Sequence, residues 1–132
     1  MTVLATDTPR YSNLVKTELW PEKGFCRLSV TCLEGSAKTY KVGTVLGKIT
    51  ASGKYKICVQ TAVDGSQTAA AIVLEDKSVS ASTDTKVLVM VRGPAMVSKS
   101  ALDLDASHDL DAEKTAIYDA LEAKNILVDT TV

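Results

Sequence analysis

Hydrophobic and polar positions along this chain alternate in short stretches far more often than they recur at helical spacing. Leu14–Trp20 begins extended, and Pro21-Glu22-Lys23-Gly24 turns the chain. Phe25–Cys32 alternates imperfectly and predicts a strand, followed by a turn over Leu33–Ala37. Thr39–Thr50 is extended again and rich in β-branched residues. Ala51-Ser52-Gly53 connects it tightly to Lys54–Gln60, which puts Tyr55, Ile57 and Val59 on one face. The two segments predict a β-hairpin. Asp64-Gly65 supplies the positive-φ position of the next loop. Ala69–Asp76 is a nearly continuous apolar run, as in strands buried on both faces. A Ser/Thr/Asp loop over 78–85 leads to Lys86–Gly93, a second strongly apolar strand. A Gly-Pro break then precedes Ala95-Met96-Val97.

One helix stands out. Leu110, Ala116, Ile117, Ala120 and Leu121 recur at helical spacing, with Asp119, Glu122 and Lys124 on the polar side. Asp109 or Asp111 can cap its start and oppose the positive end of its dipole. Asn125 can end it in a left-handed conformation, before a short last strand at Ile126-Leu127-Val128. Many short strands and one late helix predict a mainly β fold of the β-rich α+β class. The first 13 residues are Thr-rich, broken by Pro9 and without a period, which predicts a flexible N-terminal arm. The expected division is an arm over 1–20 and a single β-rich domain over 21–132. Tyr11, Leu14, Val15, Leu19 and Trp20 are apolar anchors among polar residues. Such a segment can add as a strand to a partner's sheet edge, or its last part can pack on its own domain.

Length and charge narrow the function. A chain of 132 residues fits one domain with a substantial core. Fifteen Lys and Arg against 16 Asp and Glu leave a formal charge of −1, without the basic footprint that nucleic acid demands. No apolar run reaches a membrane-spanning length and no signal peptide opens the chain, so a soluble protein made in the cytosol, with no membrane partner, is expected. The three cysteines, Cys26, Cys32 and Cys58, lack CxxC spacing and are expected as small core residues.

Candidate chemistry is sparse. Gly43-Thr44-Val45-Leu46-Gly47-Lys48-Ile49-Thr50 imitates a phosphate loop. It has one residue too few between the glycines, Ile49 where the metal-coordinating hydroxyl belongs, and no helix after it. Its glycines are expected to mark a bulge or a close backbone approach. Asp103–Asp109 resembles half a calcium loop, but His108 stands in place of its glycine and Lys114 in place of its bidentate glutamate. His108, the sole histidine, is expected on an exposed loop. No nucleophile signature or flagged carboxylate pair accompanies it, so no catalytic residue, metal or cofactor is assigned and an enzyme is not expected.

From about residue 42 onward the order of blocks is similar to that of the head decoration proteins of lambda-like tailed bacteriophages. The blocks are Thr44-Val45-Leu46 through Ser52-Gly53 to Lys54–Val59; Asp64-Gly65 into Ala70–Leu74; Val91-Arg92-Gly93-Pro94-Ala95; and Asp109–Lys114 opening a helix before Ile126-Leu127-Val128. The resemblance implies a compact small barrel or tulip-like β domain. It also implies a homotrimer at three-fold positions of the expanded icosahedral head, clamping neighbouring major capsid subunits, and an arm that orders there by strand addition. Capsid contact is then expected at Tyr11, Leu14, Val15, Leu19 and Trp20, and the trimer seam at Met90, Gly93, Pro94, Met96 and Val97. The implied location is the outer surface of the virion. Residues 21–41 fall outside the resemblance and predict an extra strand or hairpin. A competing reading, a β-rich module for a carbohydrate or host-surface ligand, would want a row of exposed aromatics; one Trp and four Tyr are scattered along the chain.

Overall fold

The computed structural model describes residues 14–19, 24 and 26–129. In chain order the strands are β1 (Val15–Glu18), β2 (Arg27–Cys32), β3 (Lys38–Tyr40), β4 (Val45–Lys48), β5 (Tyr55–Ile57), β6 (Ala69–Val73), β7 (Lys77–Val79), β8 (Thr85–Met90), β9 (Ala95–Ser98) and β10 (Ile126–Asp129). A 3-10 turn at Lys99–Ala101 and a single helix, α1 (Asp111–Glu122), lie between β9 and β10. The fold is mainly β, as the pattern predicts. Strands β2-β5-β4-β6-β8 close into a barrel, β3 and β7 form a ribbon, and β1-β9-β10 form a separate three-stranded sheet.

The barrel wall explains the apolar run. In β6, Ala71 and Val73 point into the barrel beside Val30, Cys32, Leu46, Val87 and Val89. Ile72 points outward into a second core with Val45, Met90, Ile117, Leu121 and Ile126. A strand that is interior wall on one side and floor for a helix on the other has no solvent face, so it cannot alternate. Burying a Val, Leu or Ile side chain contributes about 1.5–3 kcal/mol, so both cores are needed for a chain this poor in aromatics.

The second core also receives the inner face of the small sheet: Val15, Ala95, Val97 and Ile126. β1 runs antiparallel to β9, and β10 runs parallel to it. A parallel neighbour requires a crossover, and α1 supplies it. Met96 and Leu127 are register partners and face away from the core.

Several expectations need correction. Thr39–Thr50 is two strands: β3 and β4 are separated by a turn in which the Thr44 amide donates to the Lys41 carbonyl at 3.0 Å. Gly43 makes this possible, with φ +103° and a position where a Cβ would lie 2.1 Å from the Ala101 carbonyl oxygen. The loop expected over 78–85 contains most of β7, and Ala95–Ser98 is the central strand of the small sheet. Val59 is only half-buried whereas Cys58 is buried, because β5 ends at Ile57. Neither Asp109 nor Asp111 caps α1 by a side-chain bond; the Glu113 carboxylate accepts the Leu110 amide at 3.1 Å instead. Asn125 ends the helix with φ 65°, as expected.

Candidate functional site

The GTVLGKIT stretch resolves into structure. At Gly47 an added Cβ would sit 2.0 Å from the Ser66 carbonyl oxygen, and the register between β4 and β6 shifts between Leu46 and Gly47. The two glycines admit close backbone approach and a bulge, so the segment is barrel wall. The Asp64-Gly65 loop packs on that wall. Asp64 accepts the Ser66 hydroxyl at 2.5 Å and the Ser66 amide at 3.1 Å, and these bonds lower its pKa to about 2.

Two polar clusters hold the barrel ends. Glu34 is buried; its carboxylate accepts the Tyr40 hydroxyl and, at 2.7 Å, the Ile57 amide. Desolvation, then the Glu34 bond, pushes the Tyr40 phenol far upward. His108 corrects an expectation: it is buried, not exposed. Its Nε2 lies 2.9 Å from the Cys58 carbonyl oxygen; since a carbonyl only accepts, Nε2–H donates. The neighbouring Ser107 hydroxyl accepts the Gln60 amide at 3.0 Å. Together they latch the 103–109 loop to the end of β5, a structural task. The three cysteines are free and buried, and burial raises the Cys32 and Cys58 thiols to about 11. Among the described residues no group of three or more His, Cys, Asp or Glu side chains is placed to hold a metal ion.

A groove of about 580 Å³ lies on the outer side of the small sheet. Leu19, Pro94, Met96 and Leu127 give it an apolar lining, with Glu18, Glu122 and Asn125 among its polar residues. Its frame is tightly tied. The Leu19 amide donates to the Pro94 carbonyl at 3.0 Å, the Gly93 amide to the Lys124 carbonyl at 2.8 Å, and the Ala95 amide to the Asn125 carbonyl at 3.1 Å. Gly93 is required there: a Cβ would lie 1.8 Å from the Asn125 carbonyl oxygen. Glu18 fixes β1 to the barrel through a bidentate pair, accepting Arg27 Nη2 at 2.5 Å and Nε at 3.2 Å. That hydrogen bond raises the Arg27 pKa further.

The expected site residues separate by this geometry. Tyr11 and Trp20 lie outside the described residues. Leu14 and Val15 are buried in their own domain, and β1 pairs with β9, so this part of the segment packs at home. Leu19 enters the groove. Of the expected seam, Met90 and Val97 are both 0% exposed, inside the second core. Gly93 is buried in the frame, whereas Pro94 and Met96 line the groove. Thus the structure joins Leu19, Pro94 and Met96, which the sequence had assigned to two different contacts. It adds Leu127, 50% exposed, which the sequence reading placed only in a terminal strand.

Compared with known proteins, residues 6–126 match the sequence model of a family described as bacteriophage lambda head decoration protein D. The match includes residues 21–41, which the block pattern left out. No curated protein matches the chain.

Proposed function

The chain belongs to the family of bacteriophage lambda head decoration protein D, and from that premise we propose that it stabilises the expanded phage head as a trimeric clamp. The family is a structural one, and decoration of the phage capsid is its role in outline. In our reading three copies form a cap at a three-fold position and contact several major capsid subunits. The modest contacts of each copy then combine through multivalency. A cap that binds only the expanded shell shifts the equilibrium toward that shell by mass action. It acts on the outer surface of the virion after synthesis in the host cytoplasm.

The observation that carries this reading is the small sheet β1-β9-β10. Its outer side has an apolar groove, and among the described residues β1 and β10 are its edge strands. An edge of this kind accepts an added strand through main-chain hydrogen bonds. Capsid contact is assigned to Leu19 with Tyr11 and Trp20, while Leu14 and Val15 anchor the segment from which the arm leaves.

The test is a pelleting assay with the source phage's own shells, unexpanded and expanded. The proteins compared are the full chain and a variant lacking residues 1–13, which keeps β1. Saturable binding to expanded shells alone, lost on truncation, is the expected result. Equal binding of the truncated protein would refute the arm's part, and no binding to either shell would refute the clamp.

A further inference from the structure

The chain contains one Asp-Gly pair, Asp64-Gly65, and this dipeptide is chemically restless. Glycine has no Cβ to keep its amide nitrogen from the carboxyl carbon of the preceding aspartate. In the rearrangement the Gly65 nitrogen bonds to Asp64 Cγ and a Cγ–O bond breaks. The amide proton and the carboxyl hydroxyl leave as water, and a succinimide ring remains. Water then opens the ring at either carbonyl. One opening restores aspartate; the other reroutes the main chain through Cβ and Cγ as isoaspartate. Water is the only co-reactant, lost once and regained once.

This fold has no room for the product. The Asp64 carbonyl accepts the Thr50 amide at 2.9 Å, and in isoaspartate that carbonyl becomes a free carboxylate. Gly65 is pressed against the chain that leaves β4. An added Cβ there would lie 2.1 Å from Thr50 Oγ1 and 3.0 Å from the Lys48 carbonyl oxygen. Rerouting lengthens the main chain by one carbon at this place, and it displaces the Ser66 carbonyl that packs on Gly47.

Both reacting groups are tied. The nucleophile is the Gly65 amide, whose N–H donates to Gln67 Oε1 at 2.9 Å. It must shed that proton to attack, and the bond holds the proton in place. The carboxyl must be protonated for its oxygen to leave as water. Asp64 Oδ1 accepts the Ser66 hydroxyl at 2.5 Å and the Ser66 amide at 3.1 Å, and Oδ2 lies 3.5 Å from Lys56 Nζ. These donors favour the ionised, unreactive form. A pKa of about 2 against the ordinary 3.8 makes the protonated fraction at neutral pH about 60-fold smaller. Exclusion of water is not the protection, since the Asp64 side chain is 38% exposed.

We propose that Ser66 and Gln67 guard the barrel against chemical ageing, by holding Asp64 and Gly65 from closing to a succinimide while the loop is folded. Durability of this kind is a rate, separate from the equilibrium stability of the fold. It is also independent of what the protein binds.

The test is prolonged incubation of the full chain at neutral pH and physiological temperature. Isoaspartate at position 64 is read by peptide chromatography and fragmentation mass spectrometry, because the total mass does not change. The folded parent is compared with the same protein in urea and with Gln67→Ala and Ser66→Ala, and circular dichroism checks that each variant is folded. Gln67 is exposed, so its variant keeps the comparison decisive where loss of the buried Ser66 hydroxyl disturbs folding. The folded parent is expected to isomerise at least about 10-fold more slowly than the unfolded chain, and each folded variant about 5-fold faster than the folded parent. A parent that ages as fast folded as unfolded, or a folded variant that ages no faster than the parent, would overturn the proposal.

Discussion

At the residue scale, the strongest constraints are polar groups and glycines inside the barrel. Glu34 serves two donors from separate segments, Tyr40 and Ile57. Glu34→Ala leaves both without that acceptor in a buried setting and is expected to cost about 2–4 kcal/mol, measured by urea denaturation. Gly47→Ala drives a methyl into the Ser66 carbonyl and is expected to cost about 1–3 kcal/mol by the same measurement. Asp64 gives a pH signature. Its folded pKa, about 2, lies below its ordinary 3.8, so its contribution is complete above pH 4 and is lost as pH falls through 2. A carboxyl-carbon NMR titration should place its midpoint near 2, and a midpoint at the ordinary value would contradict the Ser66 bonds. Cys32 and Cys58, held near 11 by burial, should resist thiol reagents at pH 8 until the protein is unfolded.

At the element scale, β1 is tied into the domain. It is a short strand, yet it and the preceding Leu14 put Leu14 and Val15 into the second core and a buried carboxylate onto Arg27. Removing residues 1–13 should leave the urea midpoint unchanged. Removing 1–19 should destabilise the domain by about 3–5 kcal/mol, because a buried Leu and a buried Val leave a cavity beneath the sheet. The sequence made this segment extended correctly, but extension alone does not say whose sheet a strand joins. The helix was legible from its 3.6-residue period and its Asn125 terminus. Its cap was not, since Asp109, Asp111 and Glu113 are all suitable acids, and only the fold of the entering loop selects Glu113. β9 was illegible for a similar reason: four residues after a Gly-Pro break carry too little pattern to announce a central strand.

At the scale of the whole molecule, two cores share one wall, and the small sheet stands on the second with its outer side uncovered among the described residues. Met96 and Leu127 are the residues to change there, since they face away from the core. Met96→Glu with Leu127→Lys should keep the urea midpoint within about 0.5 kcal/mol of the parent in stability, as exposed substitutions do. Under the proposed clamp it should weaken retention on expanded shells. A variant retained as well as the parent would remove the groove from that reading.

The sequence by itself determined the class of the fold, the helix, most strands, the hairpin around Ser52-Gly53 and the family. These follow from local periodicity, from turn chemistry and from the order of blocks along the chain. Only the tertiary structure decided that His108 is buried, that Met90 and Val97 serve the core, and that Leu19, Pro94, Met96 and Leu127 share one groove. Those facts depend on which segments meet after the barrel closes and α1 crosses over. Leu19 and Leu127 are 108 positions apart in the chain, and no period within either segment encodes their meeting.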